Sequence, residues 1–302
     1  MTIPESVTNL GSYAFYGCNE LNSVVLPKLT VINDYAFYNC KSLTEITLPT
    51  TLTKIGGYAF YGCLSLDELS IPSTVTSIGN NTFDGCSGIA KLVLPENLQT
   101  IGDSAFRNVP IKTIVVPDSV TSIGLGAFYG CPLESITLPF VGKTGKTDQT
   151  SESVFGYIFG KYSPRTTSKP EGTTYQGWGY GYYLTPGTSG YNYAYSSNYC
   201  ADYYYIPTTL KTVVITDATI IPYGAFQNCD FIENITVPST VTKISNFAFK
   251  NCKGITNINL GTSLAGIGTY AFADCSSLKT ITIPDTVENV GSYAFYGCTE
   301  LE

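Results

Sequence analysis

The sequence predicts an α/β solenoid built from about ten or eleven rungs, where a rung is one repeat of 22–23 residues. A phenylalanine recurs at ten aligned positions, preceded by alanine in all but one and followed three residues later by cysteine in all but one. A fixed period in the twenties is typical of solenoids, whose units bury their apolar faces only by stacking on one another. The ten positions are Phe15, Phe37, Phe60, Phe83, Phe106, Phe128, Phe226, Phe249, Phe272 and Phe295.

Each rung opens with a predicted strand, for which 43–49 (LTEITLP) is the example. Ile46 and Leu48 face the core and Glu45 the opposite side, because successive side chains of a strand alternate. Pro49 has no N–H group and ends the ladder. We therefore expect parallel strands about 4.8 Å apart in one long sheet on the concave side.

The rest of the rung supplies two further elements. Leu52 and Ile55 form an apolar pair that predicts a second short strand, and Gly56 lets the backbone turn. Phe60, with the alanine before it, then packs inward. This segment is too short for a stable free helix, so we expect one helical or 3₁₀ turn, held by packing, on the convex side.

Nine of the ten cysteines occupy one equivalent position in their rungs, and Val109 takes that position in the remaining rung. A site that also accepts valine suits a small apolar group. We therefore predict a column of buried free thiols, with disulfides between adjacent rungs as the alternative. Metal ligation is disfavoured, because the chain has no CxxC pair and no histidine.

The period fails once. Leu133 and Leu210 open consecutive strands, yet they lie 77 residues apart where 23 are expected. We assign 140–205 as an insertion within one rung of a single solenoid that spans 1–302, with repeats in 1–139 and 206–302. The insertion holds 13 of the 24 tyrosines and the only tryptophan. Within it, 154–160 resembles a degenerate Ala-Phe segment that continues the core.

The unit LxxIxLPxxVxxIGxxAFxxC, well matched at 99–106 and 241–249, resembles the BspA-type leucine-rich repeat. That resemblance implies a leucine-rich-repeat horseshoe with its parallel sheet on the concave side. It also implies a bacterial cell-surface or secreted protein that adheres to host or matrix molecules, and hence an extracellular location. The family contributes no catalytic residues.

Composition excludes several classes of partner. The net charge is −7, from 16 basic and 23 acidic residues, and no Lys/Arg cluster occurs, so we expect no nucleic acid. No apolar run reaches 18 residues, so we expect no membrane span. No cofactor is predicted. Both ends fall inside the repeat register, so we expect a part of a longer protein that could self-associate end to end through uncapped rungs.

Aromatic residues alternating with glycine make the insertion the first candidate binding site. Tyrosine and tryptophan combine an apolar ring with a polar edge, which suits a sugar ring or a protein surface. Alternatively, these rings pack on one another as an ordered cap over the core. The candidate residues are Trp178, Tyr180, Tyr182, Tyr183, Tyr191, Tyr193 and Tyr195.

The exposed columns of the concave sheet are the second candidate. They are small, polar or β-branched, which suits broad hydrogen bonding or simply reflects strand propensity. Glu45 and Glu68 would be adjacent, at about 5 Å, as in an acid–base pair. Lys91 on the next rung more simply balances their charge, and without histidine no Ser-His or Cys-His device is available.

Two functions from different classes remain. The first is a non-catalytic module that binds a host or matrix protein, or a glycan, through the concave sheet and the insertion. The second is a structural spacer in a larger surface protein, which the near-identical rungs favour. An enzyme is a distant third.

Overall fold

The computed structural model describes residues 1–67, 69–145, 150–162, 173–178 and 202–302. For residues 162, 173–175, 177–178 and 202–203 it describes the backbone alone. The strands of this part are β1 (Ser23–Val25), β2 (Val31–Ile32), β3 (Glu45–Thr47), β4 (Lys54–Ile55), β5 (Ser77–Ile78), β6 (Thr100–Ile101), β7 (Thr113–Val115), β8 (Ser122–Ile123), β9 (Ser135–Leu138), β10 (Lys161–Tyr162), β11 (Thr173–Trp178), β12 (Asp202–Pro207), β13 (Thr212–Ile215), β14 (Ile220–Ile221), β15 (Asn234–Thr236), β16 (Lys243–Ile244), β17 (Asn257–Asn259), β18 (Gly266–Ile267), β19 (Thr280–Thr282) and β20 (Asn289–Val290).

The predicted long strands form parallel ladders. β1 pairs with β3, and β7, β9, β13, β15, β17 and β19 form one six-stranded sheet in that order. Between these two groups the described residues make a single bridge, Ser70 to Val93. Residue 68, in the strand segment of the fourth rung, lies outside the described residues, so the single continuous sheet stays a prediction at this point. A further bridge from Thr2 to Val25 confirms the stub of an earlier strand.

The sheet continues across the insertion. β9 and β13 are opposite each other in register, from Ser135↔Thr212 to Leu138↔Ile215. Alternation holds here too, since Ile136 and Val213 are fully buried. The 77-residue separation of their opening leucines thus leaves no gap in the strand ladder.

The second short strand is confirmed. β2, β4, β5, β6 and β8 form a parallel five-stranded sheet, and β14, β16, β18 and β20 form a four-stranded one. Most of these strands direct an isoleucine into the core, as Ile55 does. In the interrupted rung, Ile123 N–H donates to the Lys143 carbonyl at 2.8 Å, which extends the first of these sheets.

The predicted α/β class and helical turns are not supported. Each Ala-Phe segment is a series of turns closed by i to i+3 hydrogen bonds, as from Cys18 N–H to the Phe15 carbonyl at 3.1 Å. Two of its residues have positive φ, for example Tyr13 at 63° and Gly17 at 71°. An α or 3₁₀ helix needs negative φ throughout, so these residues exclude one. The described residues contain one helix, the 3₁₀ helix Phe155–Phe159.

Stacked phenylalanines form the core. From Phe15 to Phe128, and again from Phe226 to Phe295, neighbouring rings lie 5.0–5.7 Å apart and nearly parallel. Between the two stacks lies the buried 3₁₀ helix, where Phe155 contacts Phe226 at 5.0 Å and Phe159 at 5.3 Å. The degenerate Ala-Phe segment is therefore part of the core, as predicted.

Candidate functional site

Most of the predicted aromatic site lies outside the described residues. Trp178 is the last residue of β11, and only the backbone of this residue is described. The other predicted aromatic residues lie outside the described residues: Tyr180, Tyr182, Tyr183, Tyr191, Tyr193 and Tyr195. What the structure does give is the base of the insertion. β10, β12 and β11 form an antiparallel side sheet in that order, and these three strands are called the side sheet below.

The side sheet is anchored in the solenoid by one buried amide. Gln176 of β11 has no exposed surface. Its Oε1 accepts a hydrogen bond from Gly156 N–H at 2.5 Å. Its Nε2 donates to the carbonyls of Gly224 at 3.1 Å and Ala225 at 2.7 Å. The side chain thus satisfies backbone groups of two different rungs, as a peptide group would.

Tight packing surrounds this anchor. A Cβ atom on Gly156 would lie 2.4 Å from the Tyr204 Cβ atom, so glycine is required there. Tyr204 is 2% exposed and its hydroxyl donates to the Ser151 carbonyl at 2.7 Å. Tyr205 packs edge-on against Tyr129 at 5.1 Å. Burial raises the pKa of Tyr157 to about 12. These tyrosines of the insertion are therefore structural.

The strand face is the exposed side of the strands β1, β3, β7, β9, β13, β15, β17 and β19. Glu45 lies there, exposed and opposite Ser23 of the neighbouring strand. Lys91 is also exposed and lines a shallow groove of about 470 Å³ between the fourth and fifth rungs. Glu68 lies outside the described residues, so the predicted carboxylate pair stays a prediction. Exposed valines interrupt the polar columns, with Val93 at 66% and Val115 at 63% exposed.

The nine repeat cysteines are free and seven of them are buried, which confirms the predicted column of buried free thiols except at its two ends, where Cys18 is exposed and Cys298 half-buried. Seven thiols donate to the phenylalanine carbonyl of the preceding rung, as Cys63 does to Phe37 at 3.2 Å. Burial raises the pKa of Cys40 to about 11 and that of Cys131 and Cys275 to about 12. Within the described residues, no group of three His, Cys, Asp or Glu could hold a metal ion.

A second aromatic surface escaped the sequence analysis. In three successive rungs the tyrosines that flank the Ala-Phe pair stack on their equivalents at 4.7–4.8 Å, with interplanar angles of 1–8°. The two columns also contact each other, at 5.7–5.8 Å. We call these six residues the tyrosine ladder: Tyr13, Tyr16, Tyr35, Tyr38, Tyr58 and Tyr61. The signal was present in the sequence as three consecutive Tyr-Ala-Phe-Tyr segments at rung spacing.

The ladder stops at the fourth rung, where Asn81 and Asp84 occupy the equivalent positions. The Asn81 amide donates to the Asp84 carboxylate at 3.2 Å. Burial raises the pKa of Asp84, whereas Arg107 at 3.8 Å and two neighbouring amides lower it. Tyr58 therefore stacks on Tyr35 on one side and has no ring neighbour in the fourth rung.

A groove of about 480 Å³ opens at this end of the ladder. Its floor is backbone, because the glycines of successive rungs lie too close for side chains: a Cβ atom on Gly79 would be 2.5 Å from the Gly57 nitrogen. We call it the tyrosine groove. It is lined by Asp34, Tyr35, Lys54, Gly57, Tyr58, Ser77, Ile78, Gly79, Asn80, Thr100, Ile101 and Gly102.

The polar side chains of the tyrosine groove are fixed by the backbone. Asp34 Oδ1 accepts from Gly57 N–H at 2.7 Å, and Asn80 Oδ1 accepts from Asp103 N–H at 2.9 Å. The second polar atom of each side chain, Asp34 Oδ2 and Asn80 Nδ2, takes no part in these two hydrogen bonds. Lys54 supplies an ammonium group on the adjacent strand, so the lining carries one charge of each sign.

A model of the BspA-type leucine-rich repeat region matches 8–134 and 197–302 in six copies. No curated protein sequence matches the chain. Among solved structures, a leucine-rich repeat protein from Bacteroides ovatus is similar at 24% identity and a TM-score of 0.40, over 93% of this chain and 86% of that one. A leucine-rich cell surface protein from Faecalibacterium prausnitzii is similar at 26% identity and a TM-score of 0.40, over 100% of this chain and 79% of that one.

Proposed function

Because the chain belongs to the BspA-type leucine-rich repeat family, we propose that it is a non-catalytic binding module of a bacterial cell-surface or secreted protein. Its partner is a host or matrix protein, or a glycan, contacted through the insertion and the strand face. In the described part of the chain, no helix is long and apolar enough to cross a membrane.

The observation that carries this proposal is the way the insertion is held. The strand ladder closes beneath it through β9 and β13, while a buried amide fixes its base to two rungs. Long segments on rigid frames often carry binding. A plain spacer gains nothing from a loop that departs from the solenoid and is anchored where it departs.

The strand face supports the same proposal. Its outward positions are mostly polar, with exposed valines at Val25, Val93 and Val115, so it offers hydrogen bonds over many rungs and apolar contact at a few. Protein interfaces have this mixed character. None of the four described ion pairs involves a strand of this face: three lie on the repeats, as Lys112 with Glu134 at 2.8 Å does, and Lys143 with Glu152 lies in the insertion. Exposed pairs such as that of Lys112 with Glu134 contribute little to stability.

The test replaces 179–201 by a short Gly-Ser linker and screens wild type and variant on glycan and matrix-protein arrays. This replacement keeps β11 and β12, and therefore keeps Gln176 in the core. We expect the variant to unfold at the wild-type midpoint and to lose binding. Retained binding would exclude the insertion as the contact surface, and a lost cooperative transition would assign it to folding instead.

The alternative is a structural spacer. The near-identity of the rungs favours it, because a specific site breaks a repeating pattern. For example, 1–18 and 281–298 share the Ser-Tyr-Ala-Phe-Tyr-Gly-Cys segment and most of the residues before it. If the wild-type chain binds nothing on the arrays at high micromolar concentration, the spacer is the better account.

A further inference from the structure

We propose that the tyrosine groove binds a neutral, linear oligosaccharide. This site lies at the end of the tyrosine ladder, beside the short strands β4, β5 and β6, and is separate from both the strand face and the insertion. It would therefore be a second binding site of the module. Its test does not depend on whether the insertion and the strand face bind a partner.

The end of the aromatic stack offers a platform. Within the ladder, Tyr35 is covered on both sides, at 4.7 Å by Tyr13 and at 4.8 Å by Tyr58. Tyr58 has a ring partner on one side only, since the next rung has the smaller Asn81 at this position, with its amide bonded to Asp84. Tyr58 is half-buried and lines the groove, and a tyrosine ring without an aromatic neighbour on one side is suited to packing against the apolar face of a sugar ring.

Hydrogen-bonding groups follow the platform along the groove. They are the Asp34 oxygen that Gly57 does not bond, the side-chain amide nitrogen of Asn80, the Lys54 ammonium and the hydroxyl of Thr100, which donates to Ser77 Oγ at 2.8 Å and can still accept. Sugar hydroxyls both donate and accept, so they can use acceptors and donors of this mixed set. One carboxylate and one ammonium group give the lining no net charge, which favours a neutral ligand over an anionic one.

The shape of the groove favours a linear chain. Its lining comes from four successive rungs, and three rung spacings correspond to about 14 Å. That length accommodates several sugar rings placed end to end along the solenoid axis. Three of these rungs contribute a glycine to the floor, Gly57, Gly79 and Gly102, and no side chain projects from these positions into the groove.

The backbone of the floor disfavours a peptide strand. Gly57 N–H is bonded to Asp34, and the Gly79 and Gly102 N–H groups donate to the carbonyls of Ile55 and Ile78, each at 2.9 Å. A peptide added as a β-strand binds through unpaired main-chain groups at an edge. The backbone N–H groups of this floor are already bonded, whereas the polar side chains that line the groove can still bond the hydroxyl groups of a sugar.

The test is isothermal titration calorimetry of the whole chain with the neutral tetrasaccharides cellotetraose, maltotetraose and xylotetraose. The key variant is Tyr58→Asn. Tyr58 has a φ of 57°, and Asn81 holds the equivalent position of the next rung at a φ of 53°, so asparagine suits this backbone. We expect wild type to bind at least one of the three and Tyr58→Asn to bind about tenfold or more weakly.

Tyr270→Asn is the matched control. Tyr270 also has positive φ, at 55°, but both of its faces are covered, by Phe247 at 5.4 Å and Tyr293 at 4.9 Å. This variant should lose the same aromatic stacking and bind as wild type, and the 179–201 linker variant should bind as wild type too. The proposal is overturned if wild type binds none of the three at millimolar concentration, or if Tyr58→Asn binds as tightly as wild type.

Discussion

The regular rungs and the interrupted rung satisfy the same backbone groups in different ways. In a regular rung, main chain bonds directly to main chain, as from Phe106 N–H to the Ala127 carbonyl at 2.8 Å. In the interrupted rung, Phe155 N–H still reaches the Ala225 carbonyl at 2.9 Å, but Gly156 N–H needs the side chain of Gln176. Stacked regular rungs thus satisfy their backbone groups with one another, whereas the interrupted rung needs one specific side chain, that of Gln176.

The largest effect is expected from the phenylalanine core. Phe60→Ala should cost about 3–5 kcal/mol, because it opens a cavity between two covering rings. Phe155→Ala should cost a similar amount, since its ring is equally buried and contacts Phe226 and Phe159. Chemical denaturation of both variants measures the comparison. A cost below about 1 kcal/mol for Phe155→Ala would mean that the interrupted rung is not part of the core.

Next comes the anchoring amide. Gln176→Leu leaves the Gly156 N–H group buried without a partner, which should cost about 1–3 kcal/mol. The matched control is Gln99→Leu, at an exposed glutamine of a regular rung, which should leave the unfolding midpoint unchanged. If both variants have the same midpoint in thermal unfolding, the amide does not hold the side sheet.

A smaller effect is expected in the thiol column. Cys86→Val removes the hydrogen bond from the thiol to the Phe60 carbonyl, which is 3.1 Å long, and keeps an apolar side chain of similar size. Val109 already occupies the equivalent position in the next rung, fully buried. We expect a loss of about 1 kcal/mol or less, measured by denaturation. A loss as large as that of Phe60→Ala would show that the thiol does more than fill space.

The burial of the thiols also predicts which cysteines react with an alkylating reagent, and this prediction involves no change in stability. Burial raises the pKa of the inner cysteines, so the fraction of reactive thiolate at pH 8 falls below that of an ordinary cysteine. Iodoacetamide should therefore modify the exposed Cys18 in the native protein and leave Cys63, Cys86 and Cys252 unmodified until it is denatured. Peptide mass spectrometry distinguishes these outcomes, and rapid native modification of Cys86 would contradict the buried column.

Periodicity alone predicted most of the architecture. The alternation in 43–49 identified the inward residues, because a strand has only two faces, and the Cys/Val equivalence identified an apolar column. The prediction of helical turns is not supported, and the sequence carried a signal against it. The residue before each repeat cysteine, or before Val109, is always Gly, Asn or Asp, which are the residues that tolerate positive φ.

The candidate sites were harder to predict from sequence. Gln176 stands among glycines and aromatics, and no local pattern indicates that its amide crosses to Gly224, which is 48 residues away. The tyrosine groove depends on where an aromatic column ends, which becomes visible only once the rungs are stacked. Contacts between rungs, rather than motifs within one rung, define both places.

Amide hydrogen exchange tests most directly whether the interrupted rung belongs to a continuous core. We expect the N–H groups of Phe155 and Gly156 to be protected within about tenfold of that of Phe106, because all three are buried and bonded. The account would be contradicted if the N–H groups of Phe155 and Gly156 exchanged several orders of magnitude faster than that of Phe106. The core of the solenoid would then be interrupted at the insertion.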